Sequence, residues 1–277
     1  MRIRFAGVRG SWPRTAPAFA RYGGDTTCLL VEPREGPPLF IDAGTGITAA
    51  AEGLPTAGGE LLLLLTHVHH DHLQGLPSWG PLYEPGRRLT VAAPGFVPAE
   101  AAVRRLLSPP LWPLDLDVVG ASVSFRTLPG EPASDAPFAW GGLAVRHLAL
   151  PHPGGCAAYR LDEAGGGSFV FATDLEWGAW DDAGRRAFAR FCREPRIADA
   201  LIMDGQFTEG EIAARRGWGH SSLGECAAAA RAGGVGRLLT THHSPERDDA
   251  AMAAVETALA GLLPGAAAAR QGQVLEL

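Results

Sequence analysis

Thr66-His67-Val68-His69-His70-Asp71-His72 follows directly on Glu60-Leu61-Leu62-Leu63-Leu64-Leu65. Together the two stretches describe a buried aliphatic strand that ends in a cluster of imidazoles and one carboxylate, spaced H-x-H-x-D-H. Neutral imidazole nitrogens and carboxylate oxygens are metal donors, and holding them this close is unfavourable unless a cation organises them. The chain has nine histidines, and four of them fall between positions 67 and 72. A polar loop that merely happens to be rich in histidine is the poorer reading.

Working outward, the same pattern of an apolar run leading to a donor recurs. Leu148-Ala149-Leu150-Pro151 leads to His152, and Phe169-Val170-Phe171-Ala172-Thr173 to Asp174. Leu201-Ile202-Met203 leads to Asp204, and Leu238-Leu239-Thr240-Thr241 to His242. Strand ends along one edge of an α/β core converge in space, so donors far apart in sequence can meet there. Apolar runs between Gly and Pro predict strands at 3–6, 28–32, 39–41, 61–65, 89–92, 122–127, 143–150, 156–161, 169–172, 200–203, 238–240 and 273–277. Capping boxes at Thr208-x-x-Glu211 and Ser222-x-x-Glu225 predict helices at 209–216 and 223–233. Ser244-Pro245 predicts another at 245–263, and apolar spacing adds 98–107 and 183–192. This mixture predicts layered α/β sheets covered by helices, in a single domain over 1–277. The Pro-rich segment 108–139 reads equally as a substrate-facing loop or a surface crossover.

Composition bounds the function. A chain of 277 residues with 46% hydrophobic residues can bury a large core. The longest aliphatic run is five leucines, far short of the roughly 20 residues needed to span a bilayer. The first residues lack an apolar signal core, which predicts a cytoplasmic protein with no membrane partner. Cys28, Cys156, Cys192 and Cys226 are widely spaced and read as small buried hydrophobes in a reducing compartment. The net charge of −6 argues against a general nucleic-acid coat, although it leaves a local basic groove open. All 24 basic residues are arginine, with no lysine and no asparagine, a bias that matches GC-rich codons and carries little functional information.

These residues, with Arg4-Phe5-Ala6-Gly7-Val8-Arg9-Gly10-Ser11, Tyr22-Gly23-Gly24-Asp25-Thr26-Thr27 and Ile41-Asp42-Ala43-Gly44-Thr45-Gly46, make the chain resemble a metallo-β-lactamase-fold hydrolase over nearly its whole length. Gly219-His220-Ser221-Ser222 and Thr241-His242-His243-Ser244-Pro245 resemble the phosphodiesterase branch, which includes ribonuclease Z and the phosphoribosyl cyclic phosphodiesterases. The resemblance implies an αββα sandwich of two mixed sheets flanked by helices. It also implies two divalent metal ions, zinc foremost with manganese or iron as alternatives for a mixed N/O donor set. His67, His69 and His152 would hold the first ion, and Asp71, His72 and His242 the second. Asp174 would bridge them. Of the adjacent His242 and His243, alignment with the branch motif favours His242.

His220 is expected to donate a proton or stabilise phosphate charge, and Asp71 to serve in catalysis as well as in ligation. Asp42 is expected to orient a ligand imidazole. Asp204, Ser221 and His243 would support the site or touch substrate, Asp204 being equally a plain turn residue. His70 is expected to point away, and His147 to be structural. The implied reaction is hydrolysis of a small or cyclic phosphodiester, including nucleotides, by a metal-activated hydroxide; a homodimer is left open. Three alternatives stand beside it: an RNA 3′-processing nuclease, a lactone or thiolester hydrolase of the same fold, and a metal-binding sensor or effector with incidental activity. The chain lacks a basic Gly-rich arm for gripping transfer RNA, so nucleic acid is not the favoured partner.

Overall fold

A computed structural model describes residues 1–54, 58–134 and 136–277. Two seven-stranded mixed sheets lie between helices. In the first sheet β1 (Arg2–Gly7), β2 (Cys28–Glu32), β3 (Leu39–Ile41), β4 (Glu60–Leu64), β5 (Arg88–Pro94) and β6 (Ser122–Leu128) run side by side in chain order. The second places β7 (Phe138–Trp140), β8 (Leu143–Leu150), β9 (Cys156–Glu163), β10 (Ser168–Ala172), β11 (Ala200–Asp204), β12 (Leu238–Thr241) and β13 (Ala267–Ala268) in chain order as well. The last strand, β14 (Val274–Glu276), returns to pair antiparallel with β1.

The leucine run of β4 is continuous because both of its faces are buried. Leu62 and Leu64 face the other sheet, packing in one cluster with Ile41, Tyr159, Phe169, Phe171 and Ile202. Leu61 and Leu63 face outward, beneath Ile47 of α1 (Ile47–Ala50), Trp79, and Val103 of α2 (Ala99–Leu106). Each such leucine contributes roughly 1.5–3 kcal/mol by leaving water. On the far side, Val170, Leu201 and Met203 pack under α3 (Asp182–Arg193), α5 (Leu223–Gly233) and α6 (Asp249–Leu262) through Phe188, Cys226 and Met252. The four cysteines are buried and free.

Strands β3 to β6 are mutually parallel, as are β10 to β13, and β8 points with β10 because each is antiparallel to β9 between them. The C-terminal ends of both sheets therefore open at one edge. The sheets are tied together there: the Ala157 amide donates to the Thr66 carbonyl, and the Tyr159 hydroxyl to the Leu65 carbonyl at 2.7 Å.

Three sequence expectations shift. The helix expected at 245–263 begins later, as α6, because Asp248 is the cap, its carboxylate accepting from the Ala251 amide. Ser244-Pro245 instead opens a turn closed by the Arg247 amide on the Ser244 carbonyl. The helix expected at 209–216 is α4 (Glu209–Ile212) followed by a 3-10 turn at Ala213–Arg215. The segment 108–139, of which Asp135 lies outside the described residues, includes β6 at the edge of one sheet and the crossover from it to β7 at the edge of the other. Its Ser134 and Gly130 bond His147, which is structural as expected. No helix among the described residues is long and apolar enough to cross a membrane.

Candidate metal centre

All seven histidines and aspartates of the expected ligand set meet at the open edge. Asp42 follows β3, and His67 to His72 follow β4. His152 follows β8, Asp174 follows β10, Asp204 ends β11 and His242 follows β12. Of the four non-glycine residues with left-handed backbone among the described residues, three are Asp42, Asp174 and His242, and the fourth is Ser11, whose amide donates to Asp71 Oδ2 at 2.7 Å. Such conformations are unfavourable for L-residues and concentrate at functional sites. Here they turn the chain at the end of a strand so that the side chain points back over the edge.

The seven expected ligands form two main groups, and Asp174, His220 and His242 form a third that overlaps them. Atoms of His67, His69, His152 and Asp174 lie within 4.8 Å of one another, as do those of Asp71, His72 and His242. Asp174 faces both. Its Oδ1 is 3.8 Å from His67 Nε2 and 3.7 Å from His152 Nε2, while its Oδ2 is 3.3 Å from both His72 Nε2 and His242 Nε2. Asp71 Oδ2 stands 3.4 Å from His72 Nε2 and 3.1 Å from His242 Nε2.

The outer ring nitrogens are fixed by acceptors, which sets the tautomers. His72 Nδ1 donates to Asp42 Oδ2 at 2.8 Å, and Asp42 is itself held by the Thr66 amide and hydroxyl. His152 Nδ1 donates to the Gly219 carbonyl at 3.0 Å. The Nε2 atoms of these rings are thereby left as lone-pair donors facing inward. Two glycines make room: a Cβ on Gly10 would lie 2.4 Å from the His242 ring, and one on Gly219, whose φ is +87°, would lie 2.1 Å from His152 Nδ1.

These residues fit a divalent cation. His67 Nε2 is buried with no hydrogen-bond partner, an arrangement that is unfavourable unless a Lewis acid takes the lone pair. His69 Nδ1 and His152 Nε2 are 3.1 Å apart, and His72 Nε2 and His242 Nε2 are 3.3 Å apart. Asp42, Asp71, Asp174 and Asp204 are buried, and among the described residues their ion pairs are with histidines, none with arginine. Burial alone would raise the Asp71 carboxyl, but His72 and His242 outweigh it and hold it below the usual carboxylate range. Burial would likewise lower His72, yet Asp71, Asp174 and Asp42 together push it up. No thiolate joins the set: Cys156 Sγ lies 3.8 Å from the outward His67 Nδ1, and burial keeps it a thiol.

His220 and Asp204 form a dyad beside this centre. His220 Nδ1 is 2.6 Å from Asp204 Oδ2 and 3.8 Å from Asp174 Oδ1, and its ring stacks on His242 at 5.0 Å. Burial disfavours the imidazolium, but Asp204, with help from Asp174 and Asp71, raises it to about 9.

His243 turns away, its Nε2 donating to the Ala269 carbonyl at 2.8 Å; burial lowers it to about 3. Ser221 bonds the Leu175 carbonyl and the Trp177 amide, so it braces the loop. His70 is exposed.

Sequence reasoning missed Gln206, whose side chain lies 3.4 Å from His242 Nδ1, and Glu176, which accepts from the Gly217 and Gly219 amides. Glu176 stands two residues after Asp174, where no motif marks it. Arg9 sits within the Arg4–Ser11 stretch, where no local pattern marks it. It is fully buried, donating to the Gly23, Ser244 and Arg247 carbonyls and so anchoring the turn after His242.

Comparison with curated proteins finds no match. Among solved structures, the metallo-β-lactamase fold protein YhfI from Bacillus subtilis is similar at 19% identity and a TM-score of 0.70, covering 99% of each chain. A diphosphatase of the PhnP family is similar at 17% identity and a TM-score of 0.72, over 100% of this chain and 97% of that one. The short form of human tRNase Z is similar at 17% identity and a TM-score of 0.69, over 100% and 99%. The model of the beta-lactamase superfamily domain matches residues 39–243, a span running from β3 to the turn after β12 and holding every donor described above. With that match and two seven-stranded sheets flanked by helices, the chain belongs to the beta-lactamase superfamily and has the metallo-β-lactamase fold.

Proposed function

We propose that the protein is a dinuclear metal-dependent phosphodiesterase acting on a small or cyclic phosphodiester. The observation that carries the reading is the division of Asp174, one oxygen toward His67 and His152 and the other toward His72 and His242, with the Asp204–His220 dyad alongside. His67, His69, His152 and Asp174 Oδ1 would hold one ion, and Asp71, His72, His242 and Asp174 Oδ2 the other. The all-N/O donor set suits zinc first, with manganese or iron as alternatives. When bound, such a pair supplies a hydroxide at neutral pH and neutralises charge on the phosphoryl oxygens.

The chain supplies the rest. Asp42 and the Gly219 carbonyl fix His72 and His152 in one tautomer, and the Ser11 amide orients Asp71. Asp204 holds the proton on His220 Nδ1, which leaves Nε2 to deliver a proton to the departing alkoxide. No serine or cysteine nucleophile is required, and the buried thiols are held protonated.

The fold similarity to a PhnP-family diphosphatase and to tRNase Z supports phosphoryl chemistry in preference to lactone or thiolester hydrolysis. The net charge of −6 and the lack of lysine favour a small substrate over RNA. Metal-loaded protein should hydrolyse bis(p-nitrophenyl) phosphate and cyclic nucleotides. Absence of turnover on every diester, alongside clear hydrolysis of a lactone or thiolester, overturns the proposal.

A further inference from the structure

Among the seven tryptophans only Trp12 and Trp218 are exposed, at 49% and 61%. Single exposed apolar residues such as Leu111 or Val118 need no explanation. Trp218 differs in two ways. It belongs to a turn that is pinned in place: Glu176, itself buried, accepts from the amides on either side of it, Gly217 at 3.0 Å and Gly219 at 2.9 Å, and the Trp218 amide donates to the Arg215 carbonyl. It is also joined to the candidate catalytic dyad by aromatic contact. Phe207 meets the Trp218 ring edge-on at 6.3 Å and the His220 ring edge-on at 5.8 Å. The Arg215 guanidinium lies 5.2 Å from the Phe207 ring and 5.9 Å from that of Trp218, and it enters no ion pair among the described residues.

A rigid, solvent-facing indole two residues from His220, with a cation beside it, offers an aromatic face next to the reacting centre. We propose that Trp218, backed by Phe207 and flanked by Arg215, is a stacking platform for an aromatic heterocycle on the substrate, so that the diester is a nucleotide and not an aliphatic phosphate. The proposal rests on the phosphodiesterase reading above. Base–aromatic stacking tolerates any base, because each has a π-face, and the neighbouring guanidinium suits an anionic ligand.

The test compares adenosine 2′,3′-cyclic phosphate with glycerol 1,2-cyclic phosphate on metal-loaded wild type, Trp218→Ala and Trp218→Phe. Trp218→Ala should raise KM for the adenosine diester about tenfold to a hundredfold, with kcat little changed. Trp218→Phe should recover most of that loss, and both constants for the glycerol diester should stay at wild-type values. A KM that rises equally for both diesters, or for neither, overturns the stacking role while leaving the phosphodiesterase reading intact. If wild type turns over neither of these diesters nor bis(p-nitrophenyl) phosphate, and hydrolyses a lactone or thiolester instead, the reading beneath fails and the platform falls with it; turnover of bis(p-nitrophenyl) phosphate with neither cyclic diester overturns the platform alone.

Discussion

A left-handed backbone at Asp174 and His242 is unfavourable by on the order of 1 kcal/mol each. The residues that endure this strain are those whose oxygens and nitrogens converge, so conformational strain and candidate chemistry coincide. The dyad carries the sharper consequence. His220 lies beside the donor groups but keeps its short hydrogen bond for Asp204, not for the centre. Removing the imidazole should leave the metal content unchanged and slow turnover by about 10²–10⁴-fold, the usual contribution of a general acid. Asp204→Asn keeps the shape but weakens the hold on the Nδ1 proton, and should fall between wild type and His220→Ala. Metal analysis alongside kcat separates the outcomes: loss of metal in His220→Ala would make it a ligand and not a proton donor.

At the scale of elements, legibility followed the strength of the local signal. The capping box at Ser222 and Glu225 fixed α5 to its residue, because both reciprocal hydrogen bonds form within the motif itself. Ser244-Pro245 carried a similar signal but lost to Asp248, since the intervening turn is held by Arg9 and Arg247, contacts that no local pattern reveals. The other capping box, Thr208 with Glu211, has a further partner invisible in sequence: Arg247 pairs with Glu211 and also donates to the Gln206 carbonyl. Burial would raise the Glu211 carboxyl, but the Thr208 amide and hydroxyl, with Arg247, hold it below its ordinary range. A depressed folded pKa means stabilisation that is present above the unfolded value of about 4.3 and is lost as pH falls through the folded one. Glu211→Gln should therefore lower stability by about 1 kcal/mol near pH 7, no more, because about a third of the side chain is exposed and water screens the pair. The gap from wild type should close below about pH 4 in denaturation curves, and a gap that stays constant with pH would remove the charge from the explanation.

Across the whole molecule, the donors were legible because each follows an apolar run, and parallel strands of one sheet must end together. How the two sheets meet was not legible, because it depends on contacts such as Tyr159 to the Leu65 carbonyl, between residues with no shared pattern. That meeting has a thermodynamic consequence. His67, His69, Asp71 and His72 leave the first sheet, whereas His152, Asp174 and His242 leave the second. A cation held by these residues would tie the two sheets together at their open edge, and its binding free energy would add to the stability of the folded state. Four buried carboxylates whose ion-pair partners among the described residues are all histidines sharpen the effect, since without a cation their mutual repulsion acts across the same seam. At free metal 100 to 1,000 times its Kd, the gain is about 3–4 kcal/mol for each ion bound, which for a chain of this size is a rise in Tm on the order of 5–10 °C per ion. Stripping with a chelator should lower Tm by that amount, and readdition of zinc should restore it. Asp174→Ala, lacking the carboxylate that faces both donor groups, should show little of this response while keeping the metal-free Tm close to that of stripped wild type. A wild-type Tm indifferent to chelator and zinc would mean that the seam closes without a cation.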